Sequence, residues 1–292
     1  LRRGIFWYYL EESEVNPRVQ VEEGVPMKSL YHSGEKNFMF RVLYKDNRVH
    51  LEVFHALTDG TGAIWFFEDL LTEYIRLRYE TETEGLYSIS KREKEDLEDS
   101  FKRYFKEKKK TQFNRFVDPF IQLYKNQRTS KKVVLYPFEE PTEKKVYQIK
   151  GTPTPDLRPR IVNTQFDVKD VLQLSREMNV SLTIYLTAIY ILSVYETSDK
   201  DEATTTISAS IPINLRQFFP SETVRNFFST TTVDYTFSKD EEPDIQEICQ
   251  TLDKQFKGQL EKEAIEDRLK RYVAFEENPF ARVIIRPIKD MI

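Results

Sequence analysis

Three histidines (His32, His50 and His55) and one cysteine (Cys249) are all the imidazole and thiol chemistry in 292 residues. His55 stands in the most suggestive setting, His55-Ala56-Leu57-Thr58-Asp59-Gly60. An imidazole with an ordinary pKa of about 6.5 can accept a proton near neutral pH. It acts as a general base where the proton it removes lies within hydrogen-bond reach. Asp59, four residues on, either works with His55 as an acid–base device or pairs with an arginine and braces the loop. Gly60 is expected to relieve crowding where the chain leaves a strand and starts a helix. Alone the signal is modest, because a lone histidine near a strand end is more commonly structural and Asp-Gly is a common turn.

Other chemistries fit worse. No Gly-x-Ser-x-Gly occurs, so the hydrolase elbow is missing. Gly60-Thr61-Gly62 lacks the Lys-Ser/Thr of a phosphate loop, and there is no Gly-x-Gly-x-x-Gly. For a metal, His55 and Asp59 lack a third ligand at supportive spacing, so no metal site is expected. Cys249 stands alone, which excludes an intramolecular disulfide and a cysteine-based zinc site and suits a reducing, cytoplasmic setting. A second segment adds weight: Ile211-Pro212-Ile213-Asn214-Leu215-Arg216, followed by Ser221-Glu222-Thr223-Val224-Arg225-Asn226-Phe227-Phe228. Arg216, just after a strand, can reach a buried carboxylate. The Asn226 amide suits polarising a carbonyl or orienting a hydroxyl. The plain alternative is a turn with a surface arginine.

The elements around these residues follow from pattern. Residues 1–10 read as a strand. Asn37 to Tyr44 and Arg48 to His55 flank the hairpin turn Lys45-Asp46-Asn47, with Val49, Leu51, Val53 and His55 on one face. A strand ending on a base fixes the backbone while the loop exposes the side chain. After Gly62 the period becomes helical, with Ile64, Phe67, Leu71, Tyr74 and Arg78 on one face and Thr61 or Asp59 as N-cap. Lys91 to Lys110 reads as a charge-dense helix, and the lysines of 106–110 as a solvated face. The second half predicts a strand over Ile161 to Val168, a short helix over Lys169 to Met178, and an apolar buried helix from the Ser181 cap to Tyr195. Strands follow over Thr204 to Ile213 and Asn226 to Phe237, then one long amphipathic helix from Asp244 to about Glu276. Strands alternating with helices imply an α/β fold.

Composition sets outer bounds. Hydrophobic residues at 39% and aromatics at 13% supply a core, and a net charge of −4 gives no global field for nucleic acid or an acidic membrane. The apolar run Val180 to Tyr195 is short for a membrane span. Gly151-Thr152-Pro153-Thr154-Pro155 is turn-rich and divides the chain into halves at 1–155 and 156–292. The first residue is Leu1, residues 1–10 are strand-like from the outset and Ile288 to Ile292 carry no tail signature, so the chain reads as a piece of a longer protein.

Together, the motifs resemble the condensation-domain and chloramphenicol-acetyltransferase superfamily of acyltransferases. Its His-x-x-x-Asp-Gly element is matched by His55, Asp59 and Gly60, with Phe54 where a second histidine often stands. Its Pro-x-Asn/Asp-x-Arg element is matched by Pro212, Asn214 and Arg216, and a Gly-Asn-Phe-like element by Asn226-Phe227, with Arg225 replacing Gly. The Arg2 to Tyr9 segment is similar to the alcohol acetyltransferase-like branch. Residues 81–150 match poorly.

The resemblance implies two chloramphenicol-acetyltransferase-like α/β lobes, mixed sheets flanked by helices, with a tunnel between them, here incomplete at both ends. It implies transfer of an acyl group, in the first place acetyl, from coenzyme A to an alcohol hydroxyl. His55 is then the general base, Asp59 a brace salt-bridged to Arg216, and Asn226 a residue that stabilises the oxyanion or positions substrate. No permanently bound cofactor is implied; acyl-CoA is a co-substrate and a small alcohol the acceptor. No nucleic acid or membrane span enters, and the protein is expected to be monomeric. Two alternatives stay open: a condensation-domain-like enzyme using carrier-protein thioesters, and a non-catalytic scaffold on the same fold.

Overall fold

A computed structural model describes residues 2–4, 8–11, 16–24, 30, 38–79, 99–106, 145–155, 160, 162–199, 203–278 and 282–283. The architecture is mixed α/β, as the alternation of elements implies. Contacts divide the chain into two compact units, each discontinuous in sequence: Leu1–Pro137 with Asn214–Phe228 and Leu269–Ile292, and Phe138–Ile213 with Ser229–Arg268. The turn-rich 151–155 stretch lies inside the second unit.

In the first unit, β1 (Arg2–Arg3) pairs antiparallel with β2 (Tyr8–Tyr9). That pairing replaces the single strand expected over residues 1–10. A three-stranded mixed sheet follows, in the order β3 (Gln20–Val21), β4 (Phe40–Lys45), β5 (Arg48–Val53). β3 runs parallel to β4, and β4 antiparallel to β5. The turn is Asp46-Asn47, with Asp46 at φ 52°, a left-handed conformation that a short polar side chain tolerates. Register puts Phe40 opposite Val53, Val42 opposite Leu51 and Tyr44 opposite Val49 on one face. On the other, Arg41 faces and pairs with Glu52, and His50 Nε2 lies 3.2 Å from Glu22, so His50 is engaged in the sheet. The apolar face meets helix α1 (Gly60–Tyr79), where the Phe40 and Phe66 rings lie 5.5 Å apart. The expected apolar stripe of α1 is only partly covered: Phe67 and Leu71 are half-buried, whereas Ile64 and Tyr74 are exposed. Of the charged helix expected over 91–110, the described part is α2 (Ser100–Phe105); residues 91–98 and 107–110 lie outside the described residues, as does His32.

In the second unit, β6 (Thr204–Asn214) pairs with β7 (Phe228–Ser238). The Lys239 N–H to Ala203 carbonyl bond and the Thr206–Thr236 hydroxyl pair make them antiparallel. Helices α3 (Val168–Glu177), α4 (Leu182–Glu196) and α5 (Ile245–Gln259) each start on an oxygen cap: Asp167 accepts the Lys169 N–H, Ser181 that of Ile184 and Asp244 that of Gln246. Ile184, Ala188, Ile191 and Tyr195 of α4 recur three or four apart and pack with Val233, Phe237, Ile248 and Leu252 in one core. Tyr195 stacks on Phe237 at 4.0 Å, and Cys249 is buried in the same cluster.

Three expectations about this unit need correction. Residues 162–167 form no strand: Val162 and Phe166 are exposed, and β-prone residues need a partner strand to stay extended. The helix expected over 244–276 is two, α5 and α6 (Lys262–Glu276); Leu260 turns out of helical geometry just after Gly258, and Glu261 starts the next with its carbonyl accepting the Ile265 N–H. Helix α4 is buried on one face only. Its Leu186 and Tyr190 are exposed and, with Ser208, Ser210 and Pro212 of β6, line an open cleft of about 570 Å³. Among the described residues no single helix is long and apolar enough to cross a membrane; α3 and α4 pass such a test only as a pair bent by 87°.

The packing separates core from cleft. Leu252→Ala, at a site with no exposure, should cost about 2–5 kcal/mol, read as a lowered urea midpoint. Leu186→Ala, on the exposed face, should stay within about 0.5 kcal/mol of the parent.

Candidate active site

Residues 54–59 join β5 to helix α1, and Asp59 ends that join. Its Oδ1 accepts the Gly62 N–H at 3.0 Å, so Asp59 is the N-cap and not Thr61. Its Oδ2 accepts the Phe227 N–H at 2.8 Å and an Arg216 Nη1–H at 2.7 Å. Burial alone would push the carboxyl's pKa upward and is the largest single influence. The Arg216 hydrogen bond, the two backbone N–H groups and the arginine charge together outweigh it, and the pKa falls below the ordinary aspartate value. Both partners of the ion pair are nearly inaccessible, with side-chain exposures of 6% for Asp59 and 8% for Arg216.

Arg216 does more than neutralise. Its Nη2 donates to the Thr223 carbonyl at 2.7 Å and the Arg225 carbonyl at 2.9 Å, and its Nη1 also reaches the Phe227 carbonyl at 3.4 Å. Trp65 of α1 and Phe227 present their rings to the guanidinium at 5.5 and 5.9 Å. Asn214 caps the short 3₁₀ turn Leu215–Gln217 by accepting the Arg216 N–H at 3.1 Å, and its amide donates to the Thr61 hydroxyl at 3.2 Å. From the other side, α2 packs Phe101, Tyr104 and Phe105 around Phe219 and Phe227, with Phe101 edge-on to Phe227 at 5.2 Å. Ser100 shares a hydrogen bond with Ser221 at 2.7 Å. The segment 214–228 is thus clamped between α2 and the start of α1.

That clamp carries Asn226 to His55. His55 lies in the turn after β5, beyond the strand that was expected to include it, and is exposed. The Asn226 amide Nδ2 donates to the His55 carbonyl at 2.8 Å, which leaves Oδ1 3.2 Å from His55 Nδ1. An amide oxygen can only accept, so in the neutral ring Nδ1 carries the hydrogen and Nε2 keeps its lone pair. Phe228 flanks the imidazole at 5.2 Å between ring centroids. Asn226 thus engages His55 through both its amide nitrogen and its amide oxygen, which orients the ring.

The glycine reading also changes. A side chain built at Gly60 meets nothing, so Gly60 relieves no crowding. The crowded glycine is Gly62, where a Cβ would fall within 3.0 Å of both the Thr58 hydroxyl and the Val224 carbonyl. Thr58, Gly62 and Phe227 stand inside the motifs, yet the sequence assigns them no role of their own. Only the Gly-Thr-Gly spacing hinted at the second, because their partners lie far along the chain.

Removing the arginine leaves a carboxylate buried without its charge partner. Arg216→Ala should cost about 3–5 kcal/mol of stability. A carboxyl whose folded pKa is depressed stabilises above its unfolded value and loses that contribution as pH falls through the folded one. Asp59→Asn should therefore trail the parent most at neutral pH, with the gap narrowing as pH falls into the acid range below the ordinary aspartate value. Urea midpoints of both proteins across that range check this; a gap constant with pH would contradict it.

The sequence profile of the alcohol acetyltransferase family matches residues 30–270. Among solved structures, the chain is similar to the first condensation domain of the calcium-dependent antibiotic synthetase in complex with substrate analogue 2a. The identity is 12%, the match covers 78% of this chain and 48% of that one, and the TM-score is 0.38. The complex of that domain with substrate analogue 3a gives 11%, 77%, 46% and 0.39. The first condensation domain of the CDA synthetase gives 14%, 78%, 46% and 0.37. The chain spans about half the length of these structures. No curated protein sequence matches it. On the family profile, which takes in most of its length, this chain belongs to the alcohol acetyltransferase family.

Proposed function

We propose that the protein of which this chain is part transfers an acyl group, in the first place acetyl, from coenzyme A to an alcohol hydroxyl. The observation that carries the reading is the Asn226 clamp on His55, which leaves Nε2 as a proton acceptor in an exposed ring. Family membership supplies the reaction class.

In this reading the acceptor hydroxyl approaches Nε2. As its oxygen attacks the thioester carbonyl, its proton passes to Nε2. The tetrahedral species then collapses, the carbon–sulfur bond breaks and the leaving thiolate takes the proton from the imidazolium. No bond forms between acyl group and protein, because the nucleophile is the acceptor itself. The hydrogen on Nδ1 stays with Asn226 throughout. Asp59 takes no part in proton transfer: its oxygens accept from three donors, so it has no proton to give. It holds the loop that aims His55, and misplacing a base by about 1 Å can cost a hundredfold.

The test uses the full-length protein with acetyl-CoA and a panel of primary alcohols, following free thiol release and ester formation. His55→Ala should lower turnover by about 10²–10⁴-fold. Undiminished ester formation by that variant would sink the general-base reading. Asn226→Ala should retain folding and lose most of the rate, because the ring is then free to adopt the other tautomer.

A further inference from the structure

We infer that Thr58 and Gly62 form a clasp that sets the distance between His55 and Asn226, which makes both of them positioning residues. The inference rests on the proposed role of His55 as base. The Thr58 hydroxyl donates to the Val224 carbonyl at 2.5 Å, a contact between the His55 loop and the residue two before Asn226. It forms across the open face of Gly62, where even a methyl group would collide with both of its ends. Gly62 is not in a left-handed conformation, so no backbone requirement explains a glycine there; the close approach does. The Gly62 N–H is at the same time held by Asp59 Oδ1 at 3.0 Å, so the helix cannot back away to make room.

The geometry orders the contacts. Asp59 and Arg216 bring the 223–227 segment to the start of α1 by charge. The clasp fixes how closely it seats. Asn226, two residues beyond Val224, then meets His55 at both its carbonyl and Nδ1. A neutral hydrogen bond is modest in energy, so its loss should act on alignment more than on folding. Thr58→Val keeps the shape and removes the donor. Thr58→Ser keeps the donor.

The experiment measures acyl transfer by the full-length protein, with acetyl-CoA and the best alcohol of the panel. Thr58→Val should lower kcat about tenfold with KM for acetyl-CoA near the parent's, and Thr58→Ser should restore it. Gly62→Ala should lower kcat about a hundredfold. In an Asn226→Ala background, Thr58→Val should cost nothing further, because its effect runs through Asn226. Side-chain ¹⁵N NMR of His55 should show one tautomer in the parent and in Thr58→Ser, and a mixture in Thr58→Val. Parental kcat in Thr58→Val, or an equal loss with and without Asn226, would overturn the clasp. Should Thr58→Val fail to fold, Thr58→Ala carries the same comparisons. The two readings fail separately: an active His55→Ala defeats the base, whereas the tautomer mixture in Thr58→Val tests the clasp without reference to turnover.

Discussion

The carboxylate of Asp59 is the constraint on which the candidate site depends. Two oxygens serve three donors: the third N–H of α1, the backbone of Phe227 and the guanidinium of Arg216. The last two stand 168 and 157 residues away in sequence. One side chain thus ends a turn, starts a helix and fixes a distant loop. Each bond has a direction, and together they leave the 223–227 segment little freedom. An ionised carboxylate is needed for this, since a protonated one would lose an acceptor site facing a donor.

Asp59 and Asn226 divide work that a single residue could have confused. A carboxylate beside an imidazole would stabilise the protonated ring, whereas an amide fixes the tautomer without adding charge. Here the negative charge is committed to Arg216 and the helix start, and the neutral amide faces His55. A base must be unprotonated before it can act. Assigning the charge to structure and the amide to orientation meets that need with two residues of nearly the same shape.

How much of this was legible in the sequence depended on whether the signal was local. The turn at Asp46-Asn47 and the caps at Asp167, Ser181 and Asp244 are written in neighbouring residues. The residues picked out from the sequence, His55, Asp59, Arg216 and Asn226, do lie together. The departures are non-local. The β-prone run 161–168 lacks a partner strand in its described part, and the break near Leu260 divides a stretch that reads as one helix into two. Gly60 drew attention because it follows the aspartate. Gly62 matters because Val224 lies against it, and no pattern within the motif records that neighbour.

Buried ion pairs are often replaceable by apolar pairs of similar volume with no loss of stability. The Asp59–Arg216 pair should resist that exchange. Were both removed, the N–H groups of Gly62 and Phe227 would lose their acceptor, and the carbonyls of Thr223 and Arg225 their donor. Each buried polar group left unsatisfied costs about 1–3 kcal/mol. The pair is also a connection between backbone segments. A hydrophobic core holds segments together without specifying their register. These bonds name particular atoms on both sides, and that is what brings the Asn226 amide onto both the carbonyl and the ring of His55.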